Sequence, residues 1–412
     1  MRKDPPVELH IFWQISHDNQ RAKLPEWLSP VPESFGSLEA DFHIGRQIRK
    51  RCAIDNIHQG FRMDSPLKIW LPTIRVGSGT DIFTQRLAAA LTRRGMEVVV
   101  TWFSRFTELA PDLLRFAKPP IGVDIIHANS GNAFAFKRKG IPLVATEHHY
   151  TLDPAYRPFK SFAQDAYHRS LLAINLSRSY AMADALTTDS FFTTSVLATV
   201  AGVQATRTIP LWADYEEFSP ASCVPSRTRH RPFRLLFVGN ASRRKGADVI
   251  PELAKRLGAD FEIRCTAGLR KDAHSGTSDN VRLLGRLSPQ ELIAEYRGCD
   301  SLLVPSRYEG FGYAALEAMA CAKPVVGFRC GSIEEVVAER QTGLLCAVDD
   351  IDALETNCRI LASDPIKAVQ LGEAGRLRAV TAFTEAKAVD AYIDLYRSLV
   401  DSTNCEGRKS GR

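Results

Sequence analysis

The stretch from Tyr308 to Phe328 constrains the fold of this chain more than any other part of its sequence. Gly310 and Gly312 follow the apolar run Ser301–Pro305 and precede a run of strong helix formers, and glycine permits a tight turn that side chains would block. Pro324 then ends the helical pattern, and two valines begin another apolar run. The stretch therefore predicts a buried strand, a glycine-rich turn, a helix and a second buried strand.

This geometry favours an anionic ligand. The first amides of a helix lack partners and lie at the positive end of its dipole, so a helix that follows such a turn suits a phosphate or diphosphate. Glu309 precedes the helix and Glu317 lies within it. Two carboxylates beside a phosphate-binding turn suit a ligand that joins hydroxyls to phosphates, as a nucleotide sugar does. The alternative interpretation is a solvated helix residue and an ordinary turn residue.

The whole arrangement resembles the family 4 glycosyltransferases, whose donor-site signature is Glu-x7-Glu. Glu309 and Glu317 have that spacing, within a match that runs from Ser301 to Val337. The resemblance implies a GT-B fold, which is an α/β fold of two doubly wound, Rossmann-like domains facing a central cleft. It also implies nucleotide-sugar donors and retention of the anomeric configuration. By resemblance, Glu317 would hold the ribose hydroxyls and Glu309 the hydroxyls of the transferred sugar.

Composition limits the class of protein. A chain of 412 residues with 45% hydrophobic and 24% charged residues is long enough for two soluble domains. The net charge of +6 is well short of a nucleic-acid-binding footprint but would suit an anionic membrane surface or a phosphate-bearing substrate. Nine scattered cysteines without metal-ligand spacing indicate free thiols in a reducing compartment. With no signal peptide and no apolar stretch near ~20 residues, we expect a cytoplasmic protein that is soluble or peripheral on the inner face of the membrane.

Shifts in composition indicate the domain organisation. A stretch rich in proline, serine and charge has the character of a linker, so we place the domain boundary there. A basic segment near the N-terminus is either a membrane-surface helix or, as we favour, a solvated helix packed on the adjacent domain. The predicted parts are an N-terminal extension of unassigned role (1–64), an acceptor-side Rossmann-like domain (65–219), the linker (220–232), a nucleotide-sugar donor domain (233–385), a C-terminal helix that packs back on the first domain (386–399) and a polar tail (401–412).

The first domain begins with a strand, a glycine-containing turn and an amphipathic helix. Lys68–Pro72 is apolar, Gly77-Ser-Gly79 forms the turn, and Asp81–Arg94 has apolar residues near helical spacing. The turn is no dinucleotide fingerprint, because the third glycine is missing. The resemblance implies that this glycine-rich loop, with Gly79, faces the donor phosphates across the cleft.

Histidines end two of the predicted strands of this domain. Ligands of open α/β sheets gather at the carboxyl ends of strands, so His127 and Asn129 are candidates for the cleft, although a structural histidine is an equally good interpretation. His148 and His149 follow the strand Ile141–Thr146. His148 matches the family histidine that lies near the transferred sugar, and we predict that it, rather than His149, is functional.

The second domain opens with a strand followed by a basic loop, Gly239–Gly246. Clustered cations at a strand-to-helix turn suit a diphosphate, although a solvated basic loop is the alternative. Lys245 matches the family lysine, whereas Asn240 occupies the position of the family arginine. The sequence leaves open whether Arg243 or Arg244 supplies the missing guanidinium. Gly268, at the end of the next strand, is predicted to lie near the nucleotide base.

The leading hypothesis is a retaining glycosyltransferase that moves a hexose from a nucleotide-diphosphate sugar to an acceptor hydroxyl, in bacterial polysaccharide or glycolipid assembly. The basic loop and the backbone of Phe311 and Gly312 would stabilise the charge of the leaving phosphate. The donor is a substrate, so we expect no cofactor and no metal; the acceptor is a sugar or a lipid-linked molecule. The alternatives are a non-catalytic sugar-nucleotide-binding subunit and another GT-B enzyme such as an epimerase. The nucleotide, the acceptor and the oligomeric state are not specified.

Overall fold

A computed structural model describes residues 66–77, 79–221, 231–266 and 278–410. The predicted N-terminal extension lies outside these residues, and so do residues 222–230, which form most of the predicted linker. None of the helices in the described ranges combines the length and the apolar character needed to cross a bilayer.

Six parallel strands form the first sheet. They are β1 (Lys68–Ile74), β2 (Glu97–Phe103), β3 (Ile125–Asn129), β4 (Leu143–Glu147), β5 (Ala185–Thr188) and β6 (Arg207–Thr208). Their order is β2-β1-β3-β4-β5-β6. The strands β4 and β5 are buried along their whole length, because helices and turns cover both faces of a parallel sheet.

Helices of this half include α1 (Gly79–Arg93), α2 (Phe162–Tyr167), α3 (Ala173–Met182) and α4 (Phe191–Val196). A π-helical turn, His168–Leu172, joins α2 to α3. Such a turn inserts an extra residue into the hydrogen-bond ladder, which hydrophobic spacing alone does not reveal.

The second sheet also has six parallel strands. They are β7 (Phe233–Phe237), β8 (Phe261–Thr266), β9 (Val281–Gly285), β10 (Ser301–Val304), β11 (Val325–Phe328) and β12 (Gly343–Cys346). The order is β12-β11-β10-β7-β8-β9. Its strand order reverses between β7 and β10, and ligands of such sheets bind at the carboxyl ends of the strands at this point.

The helices of the second half are α5 (Ile250–Leu257), α6 (Pro289–Gly298), α7 (Tyr313–Ala320), α8 (Ile333–Val336), α9 (Ile351–Ser363) and α10 (Pro365–Ala382). A reciprocal capping box of Ser288 and Glu291 starts α6, with Pro289 in its first turn. Within α7, which follows the glycine turn, the residues from Ala315 to Ala320 are buried.

The last helix, α11 (Glu385–Ser410), returns to the first half. The Tyr396 hydroxyl lies 2.6 Å from Nδ1 of His127, and Arg94 of the first half pairs with Asp390. The predicted helix over 386–399 is longer in the structure, because it continues through the polar segment from residue 401 to Ser410. Extending a helix that is already formed costs far less than starting one, so polar residues of modest propensity can follow a packed segment.

Candidate active site between the two sheets

The basic loop after β7 is positioned by a glycine. A Cβ atom on Gly246, whose φ is +72°, would lie 1.9 Å from the carbonyl oxygen of Pro305, so only glycine lets the loop rest on the end of β10. Ser242 caps the short 3₁₀ turn Arg243–Lys245 by accepting a hydrogen bond from the Lys245 amide. The loop therefore presents Lys245 to the residues that follow β10.

Lys245 meets Glu309 at this reversal of strand order. Its Nζ lies 2.5 Å from Oε2 of Glu309, and Nη1 of Arg244 lies 3.9 Å from the same oxygen. Burial opposes ionisation of Glu309, but the charges of Lys245 and Arg244 hold the pKa of its carboxyl below the usual value. Burial lowers the pKa of the Lys245 ammonium despite its partner. Two cations thus converge on one buried carboxylate.

Arg243 and Arg244, between which the sequence did not decide, occupy different environments. The Arg244 guanidinium donates to the carbonyl of Tyr308 at 3.0 Å and faces Glu309. Arg243 is exposed, and its carbonyl accepts from Arg307. Asn240 lies half-buried in the same loop. The structure therefore brings Arg244, and not Arg243, to the Lys245–Glu309 pair, while the predicted base-side residue Gly268 lies outside the described residues.

The turn between Glu309 and α7 touches the first half directly. A Cβ atom on Gly310 would lie 2.1 Å from the carbonyl oxygen of His148, and the Gly310 carbonyl accepts from Ser190 Oγ at 2.7 Å. Gly312 has a φ of +100° and starts α7, whose first amides have no partner within the helix. Phe311 is buried beside it. The predicted glycine loop of the first half is close by, since a Cβ on Gly79 would lie 3.6 Å from the Tyr313 ring.

Glu317 is held by two side chains, one from each half. Its Oε1 lies 2.7 Å from Nη2 of Arg86, and its Oε2 accepts from the Tyr296 hydroxyl at 3.0 Å. The Arg86 guanidinium also lies over the Tyr313 ring, 4.8 Å from its centroid. Glu317 therefore faces the gap between the halves, as its predicted role requires, but both of its oxygens are engaged.

His148 is enclosed by polar groups of the first half. Its Nδ1 lies 2.5 Å from Oδ2 of Asp189 and its Nε2 lies 2.9 Å from Oδ1 of Asn129. The neighbouring histidines differ: burial lowers the pKa values of His127 and of His149 to about 3, so both are neutral. His127, bonded to Tyr396 and Thr146, is a structural histidine, which was one of its two interpretations.

Three residues of this region were missed in the sequence: Arg86, Asp189 and Glu335. Arg86 stands three residues after Phe83 and one before Leu87, so it is a cation on the apolar face of α1. Asp189 is a carboxylate at the carboxyl end of β5. The cation on an apolar helix face and the carboxylate at a strand end could both have been recognised in the sequence. Their partners could not, because each lies far away along the chain.

The segment over 151–160 packs against the second half. The Tyr308 hydroxyl donates to Oδ2 of Asp153 at 2.9 Å, and the Tyr156 ring stacks on Tyr308 with centroids 5.1 Å apart. Asp153 and Tyr156 are buried. This proline-containing segment therefore forms part of the contact between the halves.

Glu335 is a further link between the halves. Its two carboxylate oxygens accept from the amides of Phe191 and Phe192 at 2.9 and 2.6 Å, at the first turn of α4. Burial raises the pKa of this carboxyl to about 7, although the two amides favour its ionised form.

This raised pKa predicts a pH dependence of stability. The native state keeps a proton on Glu335 that the unfolded chain releases above about pH 4.3, so the free energy of unfolding falls as the pH rises from there to about pH 7. In Glu335→Gln, which cannot ionise, we expect a smaller fall across this window. Urea unfolding of both proteins at several pH values measures the difference. An equally steep fall in the variant would contradict the assignment.

Known proteins that are similar to this chain in sequence include glycosyltransferases. Residues 224–378 match the family model described as glycosyl transferases group 1. D-inositol 3-phosphate glycosyltransferase 1 of Catenulispora acidiphila is 29% identical over 315 residues, covering 69% of this chain and 74% of that protein. The MMP alpha-(1->4)-mannosyltransferase of Mycolicibacterium hassiacum is 27% identical over 331 residues, covering 74% and 78%.

Solved structures match the fold. Sucrose-phosphate synthase from Thermosynechococcus elongatus has a TM-score of 0.70 at 20% identity, covering 82% of this chain and all of that one. Anabaena Alr3699/HepE in complex with UDP-glucose has a TM-score of 0.63 at 17% identity, covering 81% of this chain and all of that one. The predicted two-domain α/β fold is therefore confirmed.

Proposed function

We propose that this chain, a glycosyltransferase with the GT-B fold, belongs to family 4 and moves a hexose from a nucleotide-diphosphate sugar to an acceptor hydroxyl with retention of configuration. One observation carries the proposal: Lys245 and Arg244 converge on Glu309 at the reversal of strand order, directly beside the helix start that faces His148. This is where an α/β sheet binds its ligand, and cations with free helix amides suit a diphosphate.

In this proposal the donor diphosphate lies against the amides of Phe311 and Gly312, opposite Gly79. Lys245 and Arg244 stabilise the charge that develops on the leaving phosphate, and preorganised charges of this kind supply a large part of catalysis. These protein cations serve in place of a metal, and the donor is a substrate rather than a cofactor. Because the diphosphate competes for Lys245, Glu309 is released to bind hydroxyls of the sugar.

The transfer step needs no side-chain base. The bond from the anomeric carbon to the leaving phosphate oxygen breaks, and the bond to the acceptor oxygen forms on the same face. The leaving phosphate takes the acceptor's proton, so charge and atoms balance. Glu317 binds the ribose hydroxyls. This requires that the contact between the Arg86 guanidinium and Oε1 of Glu317 breaks, so that this oxygen can accept from the ribose.

Binding and turnover assays distinguish this function from two alternatives. Asn240, in place of the family arginine, is the feature that favours a non-catalytic binding subunit; an epimerase of the same fold is the other alternative. The purified chain is screened with UDP-, GDP- and ADP-sugars for thermal stabilisation, since a ligand bound only by the native state raises the unfolding temperature. Proton NMR then follows donor hydrolysis or transfer. Release of the sugar first as the anomer of the donor supports a retaining transferase; binding without turnover supports a subunit, and an epimerised nucleotide sugar supports the third function.

An exposed apolar surface of the first half suggests the nature of the acceptor. It comprises Phe106, Leu109, Leu113, Phe116 and Ile174, which are between 58% and 82% exposed. Residues 106–116, which hold the first four of these, lie against the helices α2 and α3. The Tyr167 hydroxyl of α2 donates to the carbonyl of Glu108, and Arg178 of α3 pairs with Asp112. Exposed cations border the surface: Arg105, Arg115, Lys118 and Arg169.

Large exposed apolar residues bordered by cations fit an anionic bilayer. We therefore propose that the enzyme works peripherally at the inner face of the membrane on a lipid-linked or sugar acceptor, in bacterial polysaccharide or glycolipid assembly.

Vesicle sedimentation tests this surface. Leu113→Glu with Phe116→Glu is expected to lower binding to phosphatidylglycerol vesicles by about tenfold or more, because it removes apolar contact and adds like charge. The matched control is Ile366→Glu with Val369→Glu, which changes two exposed apolar residues on α10 of the other half. Equal binding by both variants and the wild type would contradict the proposal.

A further inference from the structure

His148 has a hydrogen-bond acceptor at each ring nitrogen. Nδ1 faces the Asp189 carboxylate at 2.5 Å and Nε2 faces the Asn129 side chain at 2.9 Å. A neutral imidazole donates from one nitrogen only, so the identity of the Asn129 atom decides which form the site accommodates. Since amide oxygen and nitrogen are assigned from their partners, the surrounding network has to supply the answer.

The network orders its protons along a chain of hydroxyls. The Thr84 hydroxyl donates to the carbonyl of Thr80 at 3.1 Å, within α1. The Thr84 oxygen, 3.3 Å from Thr73 Oγ1, is then the acceptor for the Thr73 hydroxyl. The Thr73 oxygen in turn accepts from the Asn129 amide nitrogen at 3.2 Å. The carbonyl oxygen of Asn129 is therefore the atom that faces His148, and it accepts from Nε2–H.

Among the described residues, the side chain of Asp189 forms its hydrogen bond with His148. It is 1% exposed, and its Oδ1 lacks a hydrogen-bond partner among the described residues. A buried carboxylate left unpaired is costly, so its pairing with an imidazolium is favoured over pairing with a neutral ring.

The other titratable groups around the His148 ring do not reverse this preference for an imidazolium. Glu147 is a buried carboxylate that accepts from Ser130 Oγ and the Tyr180 hydroxyl, both at 2.6 Å. His127 and His149 are neutral, as described above, and burial raises the pKa values of the Tyr313 and Tyr392 hydroxyls, so both are neutral as well. Burial lowers the pKa of His148, but the carboxylates of Asp189 and Glu147 outweigh it and raise the pKa above its ordinary value.

We propose that Asp189 is a positioning residue that keeps His148 as an imidazolium, so that His148 acts as a fixed cation and hydrogen-bond donor and not as a base. The assignment of a catalytic role to this cation rests on the proposed function. The backbone carbonyl oxygen of His148 lies 2.1 Å from the position that a Cβ atom on Gly310 would take, so His148 borders the turn that precedes α7. An oxygen of the donor sugar or phosphate takes the place of Asn129 as acceptor of Nε2–H, and the acceptor's proton goes to the leaving phosphate.

Nitrogen-15 NMR of the full chain, labelled at histidine, tests the protonation state without reference to activity. His148→Gln identifies the resonances. In the wild type at neutral pH we expect both His148 nitrogens to carry protons; in Asp189→Asn we expect one proton, with the apparent pKa lowered because the neighbouring carboxylate is gone. A singly protonated His148 in the wild type, or an unchanged titration in the variant, would overturn the proposal.

Kinetics with the donor identified above give the functional readout. Asp189→Asn should lower kcat by about tenfold to a hundredfold with little change in the donor KM, and should move the alkaline limb of the pH–rate profile to lower pH. Asp189→Glu should restore part of the loss. The control is Asp184→Asn, a carboxylate at the opposite end of β5 that pairs with Lys137 and whose loss should leave the profile in place. An imidazolium in a protein without transferase activity would refute the proposed function alone, whereas an active enzyme with a neutral His148 would refute this inference alone.

Discussion

Lys245→Met should lower kcat by about 10²–10³-fold, which is the largest effect of a single side chain that we expect. Methionine keeps most of the volume of the lysine stem but removes the charge that lies 2.5 Å from Glu309 and that, in the proposed function, stabilises the leaving phosphate. Glu309, left without its ammonium, would bind a proton more readily, because the charge of Lys245 is one of the causes that hold its pKa down. The measurement is kcat for transfer or donor hydrolysis, with the unfolding temperature recorded alongside.

The matched control for this change is Lys255→Met, which removes an exposed lysine from α5 of the same half. It should leave kcat within about threefold of the wild type. Combining Lys245→Met with Glu309→Gln should cost less than the sum of the two losses, because contacting residues couple. A Lys245→Met enzyme with nearly normal kcat, or strictly additive losses, would show that the pair does not act on the leaving group.

Gly310→Ala should abolish most activity while each half stays folded. The new methyl group would lie 2.1 Å from the carbonyl oxygen of His148 and 2.7 Å from Cβ of His149, distances that real Cβ atoms do not adopt. Relief requires the halves to separate locally, which breaks the 2.7 Å hydrogen bond from Ser190 to the Gly310 carbonyl. Misplacing reacting groups by about 1 Å costs on the order of 10²-fold, so we expect at least that loss in kcat/KM.

Hydrogen exchange distinguishes separation from unfolding. In Gly310→Ala, exchange should increase at the amides around His148 and Ser190 and remain slow in the strands of both sheets. Gly298→Ala is the control, because a Cβ there meets nothing within 4 Å. Global loss of protection, or full activity in Gly310→Ala, would contradict the view that this glycine serves the contact between the halves.

Much of the fold was predictable because its signals are local. Buried strands such as β10 and β11 are continuous apolar runs, and the turn between them contains the glycines that its conformation requires. Lys245 and Glu309 were also found locally, since each lies in the loop after a strand that ends at the reversal of strand order. These are positions at which chemistry and local geometry coincide.

The remaining parts of the site depend on pairs that are distant in sequence. Arg86 and Glu317 are separated by 231 positions, and no periodicity links them. Asp189 contacts His148 only because β5 pairs with β4, and the sequence does not show that pairing. The choice of Arg244 over Arg243 likewise depends on the direction in which one short 3₁₀ turn presents its side chains. Such features are set by tertiary packing, which propensity and spacing do not encode.

The central claim is that a diphosphate binds where Lys245 and Arg244 face the start of α7. Calorimetric titration of the wild type and of Lys245→Met with UDP, GDP and ADP, each beside its monophosphate, tests it most directly. We predict that one diphosphate binds the wild type at least about tenfold more tightly than its monophosphate, and that Lys245→Met loses most of this difference. Equal affinity of the wild type for the diphosphate and the monophosphate, or an undiminished difference in the variant, would contradict it.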